Sequence, residues 1–170
     1  MTLAVRRTCA QATALCMVAI LLAFGSNALR NPGLPWVEDW TKKLTNLTSV
    51  GGIPVVDLPV VSGSYNDPNI LIIDARDREI YEQSHIPGAI NLPIHAIDQF
   101  FDQFQSQFPP IMPVITYCDG AGCDQAANLA EHLKNNGYDQ VRIFLAGLSE
   151  WTKAGLPTES GPGKRGYGQN

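Results

Sequence analysis

Two cysteines five residues apart, Cys118 and Cys123, are the side chains of this sequence best suited to covalent chemistry. The segment between them contains Gly120 and Gly122, which allow backbone conformations closed to other residues. The loop can therefore curl around Cys118 and turn its N–H groups inward. Such N–H groups, with the positive end of a following helix, stabilise a thiolate and bind an anion. We expect Cys118 to be a nucleophile of sulfur or phosphoryl transfer. The expected substrate-binding residues are Asp119, Gly120, Ala121, Gly122 and Asp124.

The segments around Cys118 alternate between strand and helix patterns. Continuous apolar runs predict buried strands, and apolar residues spaced three and four apart predict helices. The predicted strands cover residues 70–73, 89–92, 114–117 and 141–145, and the predicted helices cover 77–83, 97–104 and 126–133. Val55-Val56 and Val60-Val61 could form a first edge strand. This alternation predicts an α/β fold with a parallel sheet and helices on both faces. Sites in such sheets lie beyond the carboxyl ends of the strands, where Cys118 falls.

The segment from residue 70 to residue 157 resembles a rhodanese domain. The matching motifs are Asp74-Ala75-Arg76, Glu79-Ile80-Tyr81, His85-Ile86-Pro87-Gly88-Ala89-Ile90-Asn91, the Cys118 loop, Gly147, Trp151 and Gly155-Leu156-Pro157. The resemblance covers about half of the chain. It implies the five-stranded parallel sheet of that family and transfer of a sulfane sulfur through a persulfide on Cys118. Asp74, Arg76 and His85 are interpreted as structural residues of this signature, and no cofactor is expected.

The Cys118 loop departs from the family pattern. The usual sulfurtransferase loop has Gly at its fourth place and often a basic residue at its sixth, where this sequence has Ala121 and Cys123. The loop resembles the longer one of the phosphatase-type relatives, but it lacks their arginine near its end, which argues against phosphoester hydrolysis. Asp119 and Asp124 oppose ionisation of a nearby thiol and repel an anion such as thiosulfate, although Asp124 could instead cap the following helix. Because the sequence shows no cationic partner for a Cys118 thiolate, we expect weak thiosulfate activity or a different sulfur donor.

Cys123 leaves three interpretations open. As a resolving thiol, it would attack a persulfide or sulfenic acid on Cys118. In an oxidising compartment the two cysteines could form a disulfide, although so small a ring needs favourable geometry. Cys123 could also be a small residue that fills the loop. Two cysteines at this spacing, without a nearby histidine or third cysteine, do not make a zinc site, and no metal is expected.

The N-terminal segment is predicted to lead the domain out of the cytoplasm. Arg6 and Arg7 precede an uncharged, largely apolar stretch over residues 8–29. This stretch suits an uncleaved membrane anchor with the arginines on the cytoplasmic side. It also suits a signal peptide cleaved after Ala28. Both interpretations place the domain in an extracytoplasmic space, the periplasm if the source is bacterial.

The chain beyond its N-terminal segment is acidic. Beyond residue 30 the chain holds nine basic and sixteen acidic residues, a balance that argues against nucleic-acid binding. The expected partners are a small sulfur-containing donor, a thiol acceptor and the membrane, and a membrane-protein partner is a further option. We predict a signal peptide or anchor over 1–29, a linker with the edge strand over 30–66, the rhodanese-like domain over 67–158 and a flexible tail over 159–170.

Three functional hypotheses follow from this organisation. The first is a sulfurtransferase that carries sulfur on Cys118. The second is a thiol-redox relay that uses Cys118 and Cys123 as a pair. The third is a catalytically inactive rhodanese fold that serves as a binding module.

Overall fold

A computed structural model describes residues 3–29, 49–120 and 122–163 of the chain. Ala121 lies outside these ranges, as do most of the predicted linker and residues 164–170 of the predicted tail. The chain divides into two units, residues 1–38 and 39–170, which are described separately.

In the N-terminal unit, the described residues 3–29 contain the helix α1 (Leu3–Ala28). Its segment Arg7–Ser26 has 20 residues and a mean hydropathy of 1.9. That length and composition suffice to cross a membrane, and a signal sequence has the same properties. The predicted N-terminal apolar helix is therefore confirmed. Cys9 and Cys16 are unpaired and exposed on this helix.

The second unit is an α/β fold built around a parallel sheet. Its strands are β1 (Ser49–Val50), β2 (Ile53–Pro54), β3 (Leu71–Asp74), β4 (Ile90–Asn91), β5 (Val114–Tyr117) and β6 (Val141–Phe144). Its helices are α2 (Leu58–Ser64), α3 (Arg78–Gln83), α4 (Ile97–Gln107), α5 (Gln125–Asn135) and α6 (Gly147–Lys153), with a 3₁₀ turn at Ile94–Ala96. The strands β4, β3, β5 and β6 lie side by side in that order, all parallel, and β1 pairs with β2 as a separate antiparallel ribbon.

Helices cover both faces of the parallel sheet, as the sequence predicts. Alternate residues of β3 enter different cores: Leu71 and Ile73 face one apolar cluster, and Ile72 faces the other. The first cluster contains residues of α4 and α5, and the second contains residues of α2, α3 and α6. A strand that is buried on both faces needs the continuous apolar sequence that β3 and β5 have.

The sheet has four regular strands where five were expected. At the position of the fifth, beside β6, Val55 forms a single parallel bridge with Ile143. The N–H of Val56 donates to the carbonyl of Ile143 at 2.9 Å. The prediction of strand for Val60-Val61 is wrong, because both residues lie in α2. Pro59 stands at the start of that helix, where its fixed φ suits the first turn and its missing N–H costs nothing.

Candidate active site around Cys118

Cys118 lies directly after β5, an inner strand of the sheet that has β3 on one side and β6 on the other. Its side chain is fully buried in the core cluster shared with α4 and α5. The loop that follows leads into α5 (Gln125–Asn135). The predicted nucleophile therefore stands at the carboxyl end of a central parallel strand, the usual place for a site in such sheets.

Cys118 and Cys123 are joined by a disulfide, with their Cα atoms 6.4 Å apart. That separation is within the usual range for disulfides. Cys123 is partly exposed, whereas Cys118 is inaccessible to solvent. The sequence leaves three interpretations open for Cys123, and the structure has the disulfide with Cys118. A soluble thiol would meet the sulfur of Cys123 before that of Cys118.

The first half of the loop is held by the start of α6. The N–H of Leu148 donates to the carbonyl of Cys118 at 2.9 Å, and the N–H of Ser149 donates to that of Asp119 at 2.8 Å. Gly147, with φ at 58°, lies so close that a Cβ there would collide with the carbonyl oxygen of Cys118. A Cβ on Gly120 would lie 2.8 Å from the carbonyl oxygen of Ala146. Residues 118–120 are therefore fixed by close backbone packing.

The second half of the loop is more open. Gly122 has φ at 89° and no heavy atom within 4 Å of where its Cβ would be. The N–H of Cys123 donates to the carbonyl of Gly120 at 3.0 Å, which removes it from the N–H groups that could bind an anion. Ala121 was predicted to help bind substrate and lies outside the described residues. For Asp119, Gly120, Gly122 and Asp124, substrate binding stays a prediction.

Arg76 is the cation that the sequence analysis did not place beside the loop. Its guanidinium donates to Asp74 at 2.9 and 2.6 Å, to Asp119 at 2.9 Å and to the carbonyl of Ser84 at 2.8 Å. The side chains of Arg76 and Asp74 are 4% and 0% exposed. Burial alone would lower the pKa of Arg76, but the hydrogen bond and charge of Asp74, together with smaller effects of Tyr117 and Asp119, raise the pKa above its ordinary value. The loop therefore has a cation beside it, which pairs with the Asp119 carboxylate.

The register between β3 and β5 explains this pairing. Asp74 lies opposite Tyr117 in the parallel ladder. Two residues further along each strand, Arg76 and Asp119 come to the same edge of the sheet. The Asp74-Ala75-Arg76 motif contains the cation, but its partner Asp119 lies 43 positions further along the chain. Only the alignment of β3 with β5 brings the two residues together.

Asp124 does not cap α5 with its side chain. It occupies the N-cap position, yet its carboxylate makes no capping hydrogen bond. Its φ of -91° and ψ of -9° are helical, whereas a capping side chain usually requires an extended backbone at this position. Asp124 is exposed, so its negative charge remains at the rim of the loop.

Tyr117 and His85 are buried side chains that form hydrogen bonds with the backbone. The hydroxyl of Tyr117 accepts the N–H of Ile86 at 3.1 Å. Burial and the neighbouring Asp74 carboxylate raise the pKa of Tyr117 well above its ordinary value. His85 is fully buried, with Nδ1 2.8 Å from the carbonyl oxygen of Tyr81 and its ring stacked on that of Tyr81. The structural roles predicted for Asp74, Arg76 and His85 agree with these contacts. Within the described ranges, no three His, Cys, Asp or Glu side chains come together as a metal site.

The sequence profile of the rhodanese-like domain matches residues 60–154, more than half of the chain. The chain belongs to the rhodanese-like domain family. It is 32% identical over 95 residues to the thiosulfate sulfurtransferase GlpE of Actinobacillus succinogenes, covering 56% of this chain and 80% of that protein. It is also 32% identical over 92 residues to the HTH-type transcriptional regulator Rv0324 of Mycobacterium tuberculosis. That match covers 54% of this chain and only 38% of the regulator.

A solved structure supports the same assignment. The crystal structure of the Alr3790 protein from Anabaena sp. is similar with a TM-score of 0.54 and 28% sequence identity, covering 62% of this chain and 80% of that one. The rhodanese-like domain thus has sulfurtransferases among its relatives at about 30% identity.

Proposed function

We propose that this protein is a sulfurtransferase that carries sulfane sulfur as a persulfide on Cys118. The observation that supports it most is the position of Cys118 at the end of the central strand β5 in a domain similar to thiosulfate sulfurtransferases. The loop between Cys118 and the N-terminus of α5 supplies the setting in which a thiolate is favoured. Asp119, beside the thiol, has its charge offset by Arg76.

The reaction needs little acid–base help once the thiolate exists. The thiolate of Cys118 attacks the outer sulfur of a donor, the sulfur–sulfur bond of the donor breaks, and the donor leaves as an anion. A thiolate acceptor then attacks the sulfur carried by Cys118, which takes the sulfur away and restores the thiolate. Asp119, Gly120, Ala121, Gly122 and Asp124 are proposed to line the position that the donor occupies.

The charges around the loop bear on the donor. Arg76 is shared between two carboxylates, those of Asp74 and Asp119, which leaves this group with one net negative charge. Asp124 adds another at the rim. A doubly negative donor such as thiosulfate is repelled by this arrangement, whereas a neutral or singly charged persulfide is repelled less. We therefore expect a small organic persulfide to be the better donor.

The disulfide supports a second candidate, a thiol-redox relay through Cys118 and Cys123. In that reaction the thiolate of Cys123 attacks the Sγ atom of a persulfidated Cys118. The Cys118–Cys123 disulfide forms, and the sulfane sulfur leaves as hydrosulfide. An external thiol must then reduce the disulfide before another cycle, so the relay needs a thiol reductant as partner.

The N-terminal helix is proposed to place the domain in an extracytoplasmic space. As an anchor it would hold the domain at the membrane, beside a partner membrane protein, and as a signal peptide it would be removed. Disulfides persist in such oxidising compartments, which agrees with the paired state of Cys118 and Cys123. The acidic domain is expected not to bind nucleic acid.

The two candidates separate by substitution. Reduced full-length protein is supplied with a small organic persulfide or with thiosulfate, and sulfur transfer to an external thiol is measured. A sulfurtransferase loses transfer with Cys118→Ala and keeps it with Cys123→Ala. A relay loses sulfide release with either variant, and its unaltered form accumulates a reducible internal disulfide. Absence of both sulfur transfer and sulfide release with both donors in the unaltered protein would leave only a binding module.

A further inference from the structure

A chain of polar side chains connects Cys123 to a histidine outside the family signature. His95 lies in the 3₁₀ turn Ile94–Ala96, shortly after β4. It therefore stands at the same edge of the sheet as Cys118, because both follow the carboxyl ends of parallel strands. Gln125, the first residue of α5, lies between His95 and Cys123. The Oε1 atom of Gln125 is 3.6 Å from Sγ of Cys123, and its Nε2 atom is 3.5 Å from Nδ1 of His95.

Asp77 holds the same nitrogen of His95 from the other side. Its Oδ1 atom is 3.3 Å from Nδ1 of His95. Both side chains are largely exposed, at 67% for His95 and 54% for Asp77, so protons exchange freely with solvent. The other charged groups at the near ends of the neighbouring helices are Asp98 on α4, Asp124 ahead of α5, and Arg78 at the start of α3, which pairs with Glu82.

Nδ1 of His95 cannot satisfy both neighbours in one protonation state. A carboxylate accepts a hydrogen bond only from a protonated Nδ1, whereas an amide nitrogen donates only to an unprotonated one. An amide can reverse its two ends within the same space. With Nδ1 protonated, Gln125 presents its oxygen to His95 and its NH₂ group to Cys123. With Nδ1 unprotonated, the amide NH₂ faces His95 and its oxygen faces Cys123.

These two orientations match the two states of the Cys123 thiol. A thiol S–H donates to the amide oxygen, and a thiolate accepts from the amide NH₂ group. The amide of Gln125 therefore couples a proton on Nδ1 of His95, present in the neutral Nδ1–H tautomer as well as in the imidazolium, to a Cys123 thiolate, and an unprotonated Nδ1 to a Cys123 thiol. Asp77 accepts a hydrogen bond only from the Nδ1–H form.

We infer that His95, held by Asp77 and linked to Cys123 through Gln125, is a positioning residue that favours the thiolate of Cys123. The inference rests on the second candidate of the proposed function, the relay, in which that thiolate attacks a persulfide on Cys118. Cys123 gives its proton to solvent, and the NH₂ group of Gln125 donates to the thiolate that remains. The new bond joins Sγ of Cys123 to Sγ of Cys118, and the sulfane sulfur leaves as hydrosulfide with the electron pair of the broken bond.

The test measures the reactivity of Cys123 directly. Full-length Cys118→Ser protein is reduced and alkylated with iodoacetamide between about pH 6 and about pH 10, on both sides of the ordinary thiol pKa. Alkylation of the Cys123 peptide is followed by mass spectrometry. With His95→Gln added, the midpoint of the profile should rise by about half a pH unit or more. Alkylation at neutral pH then slows by about threefold or more, and the two rates converge at high pH.

Two further variants sharpen the result. Gln125→Leu removes the linking amide and should give the same rise, with no further rise when it is combined with His95→Gln. His132→Gln is the matched control, because His132 lies on α5 against Phe101 and should leave the profile unchanged. Superimposable profiles with and without the His95→Gln substitution would overturn the inference, as would equal slowing at every pH. The measurement does not involve sulfur transfer, so failure of the proposed sulfurtransferase activity would be seen separately.

Discussion

Arg76 joins the family signature to the reactive loop through its contacts with Asp74 and Asp119. The Asp74 contact is buried and the Asp119 contact reaches the rim, where the Asp119 side chain is 68% exposed. An exposed ion pair contributes little stability by itself. A buried carboxylate that lost its partner would be costly. Arg76 therefore stabilises the fold through Asp74, and through Asp119 it reduces the negative charge beside Cys118.

Tyr117 provides a prediction at the scale of one residue. Tyr117→Phe leaves the buried N–H of Ile86 without its acceptor. We expect the free energy of unfolding at neutral pH to fall by about 1–3 kcal/mol. The raised pKa of Tyr117 means that its contribution is fully present below the ordinary value of about 10 and is lost as the pH rises above it.

The variant should therefore lose less stability than the unaltered protein when urea unfolding is compared at about pH 9 and about pH 11. Tyr65→Phe, which changes a partly buried tyrosine packed against Trp151, is the control. An equal loss of stability with pH in the unaltered and Tyr117→Phe proteins would contradict this role of Tyr117.

At this scale the sequence indicates the residue types but not their partners. Cys118 was predicted because an apolar strand, a cysteine and a glycine-containing loop are neighbours in the chain. The pairing of Arg76 with Asp119 depends on how β3 aligns with β5, which no local pattern contains. The capping role considered for Asp124 failed for a similar reason: the helical backbone there follows from the path of the loop.

The contact between α6 and the loop is the element-level feature that fixes Cys118. Gly147 allows α6 to begin against the backbone of residues 118–120, and a side chain there would meet that backbone. Gly147→Ala combines this collision with a left-handed φ of 58°. The cost should exceed the roughly 1–2 kcal/mol of the left-handed conformation alone.

Gly155→Ala is the matched comparison for Gly147→Ala. Gly155 also has a positive φ, of 71°, but nothing lies within 4 Å of a Cβ added there. It should cost about 1–2 kcal/mol. Chemical unfolding measures both costs, and persulfide formation on Cys118 should decline only in the Gly147→Ala protein. Equal destabilisation by the two substitutions would argue against a tight contact between α6 and the loop.

The elements with strong local patterns were predicted best. The strand β5 and the helix α5 match their apolar periodicity because both are buried on the faces that the pattern indicates. The strand prediction for Val60-Val61 is wrong because Pro59 starts a helix there. Two valines favour a strand only where the backbone is free to extend. The sequence pattern does not predict β1 and β2, because strands of two residues carry too few side chains to show alternation.

At the scale of the whole molecule, the chain combines an apolar N-terminal helix with an acidic rhodanese-like domain. The net charge of -4 includes the basic N-terminus, so the domain itself is more acidic. Residues at the start of the predicted tail contact the domain: Glu159 pairs with His85 through backbone hydrogen bonds of 2.9 Å, and the N–H of Gly161 donates to the carbonyl of Glu82 at 2.7 Å. The predicted domain boundaries and the extracytoplasmic placement stay predictions.

Mass spectrometry of the full-length protein under non-reducing conditions tests the central proposal most directly. The protein is reduced, freed of reductant and incubated with a small organic persulfide, and each cysteine peptide is then weighed. We predict one added sulfur atom on the Cys118 peptide of the Cys123→Ala variant. In the unaltered protein, the same added mass indicates the sulfurtransferase, and a Cys118–Cys123 disulfide indicates the relay. A folded Cys123→Ala protein whose Cys118 remains an unmodified thiol with this donor and with thiosulfate would contradict the proposal.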